Sequence, residues 1–471
     1  MTIATTTGPR ATVDVAHEAT SIRIGPRTDG ADLTVTYGEP LRLAILVGRD
    51  PVNIAAAHAA ALAANADIVA SLGTAGTASL VDRATALREA RPQAALVIAD
   101  KGDTSAIVEL VEALRLGCAS HPPSVFVHAD EKARVRIAAS ASPMHFEALP
   151  SPATAEGREA IVARLRALRR GAGDVVLRDE AIESSARALA AASGRATLLI
   201  DVTGANTSLV YASAATVIAA HSHMGIGPGA DRVVARAGLD RVRRWIPRPI
   251  DAPALLERVF NRARWPDAVA TSPLTLALEM SLAREAIAHL VRDARRAGLD
   301  VNAIRSAEIV AATGDLARFP RPAQTALVAI DGLGGEGTQL ITRELADALI
   351  VQGAIATRAA SADVAGTTEA VALVLTMTPK RATTVSVSDA NGTVQERVGR
   401  GALFLVPTSG QAQISVSGQT ESYTANGLVL GVIVDARGRP LELPQRDAER
   451  VPVIARWYSA LAALPIDGGA A

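Results

Sequence analysis

Three continuous apolar runs constrain what this chain can fold into more than any other feature: Leu43-Ala44-Ile45-Leu46-Val47, Ala94-Ala95-Leu96-Val97-Ile98-Ala99 and Val125-Phe126-Val127. Runs of this kind, without polar alternation, are strands buried on both faces. Alanine-dense helical stretches lie between them, over 52–66, 79–90 and 106–116. Such a rhythm predicts a mostly parallel sheet covered by helices. Ligands of such sheets sit beyond the carboxyl ends of the strands, so Asp100, Lys101 and Asp103 are the candidate site residues of the first half. Thr104 and Ser105 are expected to cap the helix that follows.

The second informative stretch runs from Leu198 to Tyr211. Leu198-Leu199-Ile200 ends at Asp201, a small polar loop holds Gly204, and Leu209-Val210-Tyr211 resumes the apolar pattern. Two apolar runs around a turn rich in Gly, Asn, Thr and Ser read as a hairpin. A carboxylate at a strand end beside a loop of small residues suits Mg²⁺ and a phosphate approached by backbone N–H groups. By itself the stretch reads more readily as an ordinary hairpin with an aspartate in its turn, since turns so often carry Asp and Asn. A faint echo of it lies near the start, where Asp14-Val15 and Thr20-Ser21-Ile22 match Asp201-Val202 and Thr207-Ser208-Leu209 in spacing.

The third strand of this meander leads into His221-Ser222-His223-Met224-Gly225-Ile226-Gly227-Pro228-Gly229. Two histidines at alternate positions suggest a metal, but zinc needs three or four ligands and no third lies nearby in sequence. The glycine run has no Walker lysine after it and is not a P-loop. Helices are then expected over 231–244, 253–263, 276–291, 322–331 and 341–349. After about residue 365, Thr, Ser and Val dominate, with turns at Asn391-Gly392, Ser409-Gly410 and Asn426-Gly427, which predicts a β-rich tail closed by a helix over 450–463.

Composition removes several function classes. Lys plus Arg and Asp plus Glu number 48 each, so no global field draws the chain to nucleic acid or an anionic membrane. Cys118 is the sole cysteine, which excludes an intrachain disulfide and, without another chain, a cysteine-based metal site. No apolar run of about 20 residues marks a membrane span, and the first ten residues carry no apolar signal core. A cytoplasmic location is expected. Nor does a nucleophile-elbow G-x-S-x-G occur.

The order of segments resembles the MutL/GlmL family, whose members accompany adenosylcobalamin-dependent glutamate mutase. Asp201 to Ser208, D-V-T-G-A-N-T-S, is similar to the family's D-[IV]-G-G-A-T-T-D phosphate loop. Met224-Gly225-Ile226 matches an L-G-M segment. Ala237-Gly238-Leu239-Asp240 through Arg244-Trp245-Ile246-Pro247 matches an A-G-L-D…R-W-[LI]-P block. Ala283-Arg284-Glu285-Ala286 matches an I-A-R-E-A helix, and Ala311 to Leu316 falls on the adenosine-side G-S-G-G-V-L loop. The resemblance implies an α/β fold of the actin/Hsp70/sugar-kinase type, a duplicated ribonuclease-H-like domain, here with a C-terminal β-rich domain. The implied divisions are 1–170 (first lobe), 171–362 (second lobe with a helical insertion) and 363–471 (β-rich domain). ATP and Mg²⁺ are the implied cofactors, with Asp14, Asp103, Asp201, Gly204, Thr207, Gly225 and Gly314 as nucleotide-side residues and Asp201 as the metal ligand.

Each nucleotide loop departs from the family pattern. His17 and Glu18 replace small residues after Asp14, Thr203 and Ser208 replace Gly and Asp after Asp201, and Ala311, Ala312, Thr313 and Asp315 alter the adenosine loop. Glycine lets a backbone reach φ > 0 and approach phosphate without a Cβ. Erosion of all three loops together points to a pseudo-ATPase: an accessory, reactivase-like protein for an adenosylcobalamin-dependent mutase, carrying no cobalamin motif (D-x-H-x-x-G) of its own. A working ATPase and a non-catalytic scaffold are the alternatives.

Overall fold

The computed structural model describes residues 14–15, 21–24, 33–38, 40–170, 175–266, 268–358, 363–417 and 422–464. It opens with three short strands, β1 (Asp14–Val15), β2 (Ser21–Ile24) and β3 (Leu33–Thr36). These form an antiparallel meander.

Next comes a complete doubly wound domain. It contains β4 (Leu41–Val47), α1 (Pro51–Ala63), β5 (Ala66–Gly73), α2 (Leu80–Ala90), β6 (Ala94–Ile98), α3 (Thr104–Gly117), β7 (Ser124–His128), α4 (Glu131–Ala141), β8 (Phe146–Ala148) and α5 (Ala155–Arg170). Its five strands are all parallel, in the order β5-β4-β6-β7-β8. The pleat sends alternate residues to opposite faces. Leu43, Ile45, Leu96, Ile98 and Phe126 pack with α1 and α5, while Ala44, Leu46, Val97 and Val127 pack with α2, α3 and α4. Burial on both faces is what the unbroken apolar runs required.

The chain then returns through β9 (Val175–Leu177), which pairs parallel to β3, and α6 (Arg178–Ser193). The main sheet begins with β10 (Thr197–Val202), β11 (Thr207–Ala212) and β12 (Val217–Ser222). A helical segment follows: α7 (Ala230–Ala237), α8 (Leu239–Arg243), α9 (Ala252–Arg264), α10 (Pro273–Arg296) and α11 (Val301–Arg305). After it come β13 (Ile309–Gly314), α12 (Pro322–Leu333), β14 (Gly337–Glu344) and α13 (Ala348–Ala356). The C-terminal part holds β15 (Thr368–Thr376), β16 (Thr383–Asp389), β17 (Gly392–Val398), β18 (Leu403–Val406), β19 (Gln411–Val416), β20 (Ser422–Asn426), β21 (Gly431–Asp435) and α14 (Asp447–Ala460).

Eight strands make the main sheet, in the order β12-β11-β10-β13-β14-β15-β21-β18. Its first three strands, β12-β11-β10, are an antiparallel meander; β10 takes β13 as a parallel neighbour on its other side, followed by parallel β14. Counted from β10 in chain order, these five strands stand in the order 3-2-1-4-5. The described residues contain one such sheet. The segment 41–170, placed by the family resemblance in a first lobe of the same kind, has the all-parallel order given above. In the small N-terminal sheet the parallel strand β9 joins the third strand of the meander rather than the first. β15 and β21, from beyond residue 363, extend the main sheet, and the antiparallel sheet β17-β16-β19-β20 covers them through Leu373, Leu375, Val385, Ile414, Val432 and Val434.

Several local expectations need correction. Residues 341–344 are strand, not helix, because Ile341 is paired on both sides by β13 and β15. The helix expected over 231–244 breaks at Gly238, whose φ of 95° ends α7. The N-cap of α3 is Asp103, and no side chain caps it. α10 buries Leu276, Met280, Ala283, Ile287, Leu290 and Val291, as the spacing predicts, but Ala277, Leu278, Glu279, Ser281, Leu282, Arg284, Glu285 and Ala286 are buried too, so this stretch is enclosed on all sides rather than along one stripe. Among the described residues no helix is long and apolar enough to cross a membrane.

Buried arginines fasten the doubly wound domain to the main body. Arg169 donates to Ala64 O at the end of α1 (2.7 Å), to Asp179 of α6 (2.7 Å) and to the carbonyl of Tyr37. Arg166 bonds Ala63 O (2.8 Å) and Glu183. Burial alone would raise the carboxyl of Asp179, but Arg169 and Arg166 outweigh it and hold it down at about 2.

Candidate functional site

Asp201 is the last-but-one residue of β10 and shares the face of Leu199, which packs against α6 and α13. The first residue of α6 is Arg178, and its guanidinium closes on Asp201 as a fork. Nε lies 2.9 Å from Oδ2 and Nη2 2.7 Å from Oδ1. Thr313, opposite Asp201 on β13, donates its hydroxyl to Oδ1 at 2.9 Å. Both carboxylate oxygens are therefore committed, and Asp201 has no exposure to solvent. Burial works against the charge of Arg178, yet the Asp201 carboxylate keeps it protonated far above its ordinary value. A cation at a helix N-terminus opposes the helix dipole, so without Asp201 this placement would be unfavourable twice over.

More acids surround this pair. The ring of Tyr37 lies 5.5 Å from the Arg178 guanidinium carbon. Its hydroxyl is buried without a hydrogen-bond partner, and burial pushes its pKa up. Glu344, at the end of β14, accepts the N–H of Ile350 at 2.9 Å. Burial, then the neighbouring charge of Asp347, push it up to about 7. Burial also raises Asp315. Arg318 spans Asp347 and, at 3.7 Å, Asp315. The centre thus sets two ion-pair groups near each other, Arg178 with Asp201 and Arg318 with Asp315 and Asp347, with Glu344 beside them.

The loops beside it are spent on one another. Thr203 N–H donates to Asn206 O at 2.9 Å, closing the hairpin turn. The carbonyl of Gly204 accepts the N–H groups of Gly227 (2.8 Å) and Gly229 (2.9 Å), and Thr203 O accepts that of Ile226 (3.0 Å). Thr207 donates to Met224 O at 2.8 Å. A Cβ on Gly225 would lie 2.5 Å from Thr203 O and closer still to Gly204 O. Glycine is needed there so that two backbones can touch. At Gly314, φ is +66° and a Cβ would meet Asp201 Oδ1 and Val202 O at 2.7 Å. Outside, Arg262 seals the loop through Ile226 O (3.0 Å) and Pro266 O (2.7 Å) and pairs with Glu279 at 3.0 Å.

Of the residues singled out from sequence, Asp201, Gly204, Thr207, Gly225 and Gly314 come together here. Asp103 does not join them. It stands at the carboxyl end of β6, where its carboxylate accepts Arg49 N–H at 3.0 Å. Beside it Asp100 accepts Asp50 N–H (2.8 Å) and the Asn53 amide (2.7 Å). This is where the order of the doubly wound sheet reverses between β4 and β6. Asp14 lies in β1 opposite Arg23, while His17 and Glu18 lie outside the described residues. His221 and His223 part company: His221 Nε2 faces Glu183 at 3.5 Å and His223 Nε2 faces Asn65 O at 3.1 Å. Among the described residues no group of three metal-binding side chains occurs. Sequence reasoning missed Arg178, Tyr37 and Glu344, since nothing local distinguishes one arginine at a helix start from many others.

No protein-family model matches the sequence, and no curated protein matches it. One of the solved structures it resembles is component A of (R)-2-hydroxyglutaryl-CoA dehydratase from Acidaminococcus fermentans, at 11% identity and a TM-score of 0.21, covering 54% of this chain and 83% of that one. A likeness at that level carries no argument about function.

Proposed function

We propose that this chain is a non-hydrolysing accessory protein, in which a nucleotide hairpin of the actin-like type has become a structural joint. The observation that carries this reading is the fork of Arg178 on Asp201. A magnesium ligand needs free carboxylate lone pairs, and those of Asp201 face a guanidinium and a hydroxyl. A second cation about 4 Å from that guanidinium would be repelled by roughly 4 kcal/mol per unit charge at the effective dielectric of such sites. The Gly225–Gly229 amides that a phosphate would seek bond protein carbonyls instead. Only a rearrangement of Arg178 and both loops would open a nucleotide site, which weighs against the active-ATPase alternative.

On this reading the protein works by binding another protein. The family resemblance names the class of that partner, an adenosylcobalamin-dependent mutase in the cytoplasm. Two measurements test the proposal. Titration calorimetry and thermal shift with Mg²⁺·ATP are expected to show neither heat nor stabilisation. A shift of several degrees that Asp201→Asn abolishes would overturn the non-hydrolysing assignment. Co-elution with a purified adenosylcobalamin-dependent mutase supports the partner, and loss of the mutase from the complex peak rejects it.

A further inference from the structure

The chain holds three tryptophans. Trp245 and Trp457 are buried, whereas Trp265 stands 63% exposed at the end of α9. Phe260, 54% exposed, and Val269, 81% exposed, lie within a few residues of it. Single apolar side chains on a surface need no explanation, but a contiguous group marks an interaction site. Named contacts join these three. Phe260 and Arg264 are neighbours one turn apart on α9, and the Arg264 guanidinium carbon lies 5.8 Å from the centre of the Trp265 ring. Ala268 N–H closes a turn on Trp265 O at 3.2 Å, and Val269 follows that turn.

Their presentation is fixed. Leu255 and Val259 bury the inner face of α9. Arg262 Nη1 bonds Pro266 O and Ala268 O at 2.7 Å each, and its Nε bonds Ile226 O at 3.0 Å. The turn is thereby tied both to α9 and to the glycine loop beside the Asp201 hairpin. A surface ordered before binding loses less entropy when a partner arrives.

Charge selects the partner. Basic and acidic residues balance over the whole chain, yet residues 241 to 264 carry seven arginines against two acids. Three of the seven are paired within the fold: Arg243 with Asp240, Arg244 with Glu285 and Arg262 with Glu279. Arg241, Arg248, Arg258 and Arg264 are exposed and form no ion pair among the described residues. Of the two acids, Asp251 caps α9 through Ala254 N–H at 2.7 Å, which leaves Glu257. Aromatic residues and arginine carry most of the binding energy at protein interfaces, and uncompensated positive charge favours carboxylates on the partner. An anionic bilayer would meet the same charge, but a helix lying in a bilayer needs an apolar face. The exposed stripe of α9 reads Pro253, Glu257, Phe260 and Arg264, with one large apolar residue.

We propose that Phe260, Trp265 and Val269, with Arg258 and Arg264, form a docking surface for an acidic amphipathic segment of another protein. The apolar side chains of that segment lie on the two aromatic rings, and its carboxylates meet the two guanidiniums. This rests on the reading of the chain as a partner-binding protein, and it sets the partner beside the Asp201 hairpin.

The test uses the full-length chain and a fluorescein-labelled helical peptide with leucines on one face flanked by glutamates. The same peptide with lysine for glutamate is one control, and vesicles containing phosphatidylserine are the other. The glutamate peptide is expected to bind with a Kd of about 100 μM or tighter, and more weakly as salt is raised. Trp265→Ser and Arg264→Glu, both at exposed positions, are each expected to weaken it about ten-fold or more while circular dichroism and Tm stay those of the parent. No binding of the glutamate peptide, equal binding of the lysine peptide, or binding unchanged in both variants overturns the proposal. So does a response to the vesicles without one to the peptide, or self-association of the chain that Trp265→Ser abolishes. Co-elution with the purified mutase separates the two readings. A mutase held equally by the parent and Trp265→Ser overturns this surface and leaves the partner-binding role standing. A mutase held by neither rejects that partner, while the peptide titration still decides the surface.

Discussion

Replacing Arg178 with methionine would leave Asp201 fully buried, with the Thr313 hydroxyl as its remaining side-chain partner. Breaking a buried pair from one side typically destabilises by about 3–5 kcal/mol, because the surviving charge has no compensation. Replacing both partners by apolar residues of similar volume removes that penalty. Arg178→Met is therefore expected to lose about 3–5 kcal/mol, and Arg178→Met with Asp201→Leu to recover most of it. Trp245 and Trp457 report the outcome, since both are buried in the core on the opposite face of the main sheet. Urea unfolding followed by their fluorescence isolates the main body, which matters because a chain of two domains need not unfold in one step. The single variant is further expected to show no response to Mg²⁺·ATP, because Gly204 O and the glycine amides stay bonded to each other. A loss below about 1 kcal/mol in Arg178→Met, or a double variant as unstable as the two singles summed, would refute the reasoning.

Three further perturbations follow from the same geometry. Gly225→Ala drives a Cβ against two backbone carbonyls and is expected to lose at least about 1–3 kcal/mol in the same urea assay, the range for overpacking. Asp331 bridges buried Arg284 (2.9 Å) and Arg437 (2.7 Å), linking α10, α12 and the end of β21; Asp331→Ala is expected to lose about 3–5 kcal/mol by taking the carboxylate from buried Arg284, which keeps the Tyr458 hydroxyl, while Arg437 keeps Asp435. Glu344 is raised from 4.5 to about 7, so the folded state keeps a proton that the unfolded chain releases. Its contribution is full below about pH 4.5 and is lost as pH rises through 7. Glu344→Gln should therefore flatten the fall in Tm between about pH 5 and 8. His223 has the opposite sign. Lowered from 6.5 to about 4, it contributes fully above 6.5 and loses that contribution as pH falls toward 4, so His223→Gln should raise Tm relative to the parent at about pH 5 and not at pH 8.

Local sequence placed the strands well where burial is two-sided or a turn is explicit. Leu43–Val47, Ala94–Ile98 and Thr207–Ala212 are strands because their apolar runs admit no other economical packing. The stretch 341–349 misled because Ile341, Leu345 and Leu349 repeat every four residues, a helical spacing, while β13 and β15 flank Ile341 and impose a ladder on it. The order of a sheet is a long-range property. Nothing between residues 41 and 170 says that β4 will sit between β5 and β6 in an all-parallel sheet, since each strand is equally apolar. Hence the doubly wound domain was legible as α/β and not as to type.

The hairpin at Asp201 marks the same division. Its apolar flanks, its turn residues and its carboxylate at a strand end were determined by the sequence itself, because period-two burial and turn chemistry act over a few residues. Which charge that carboxylate would face was decided only in three dimensions. Arg178 lies 23 residues away and Thr313 lies 112 away, and they converge on Asp201 because α6 and β13 flank β10. The glycines, too, were visible as residues free of a Cβ, but that freedom serves a phosphate or another backbone equally well. Tertiary packing chose the backbone, pressing Gly225 onto Gly204 and setting a guanidinium on Asp201.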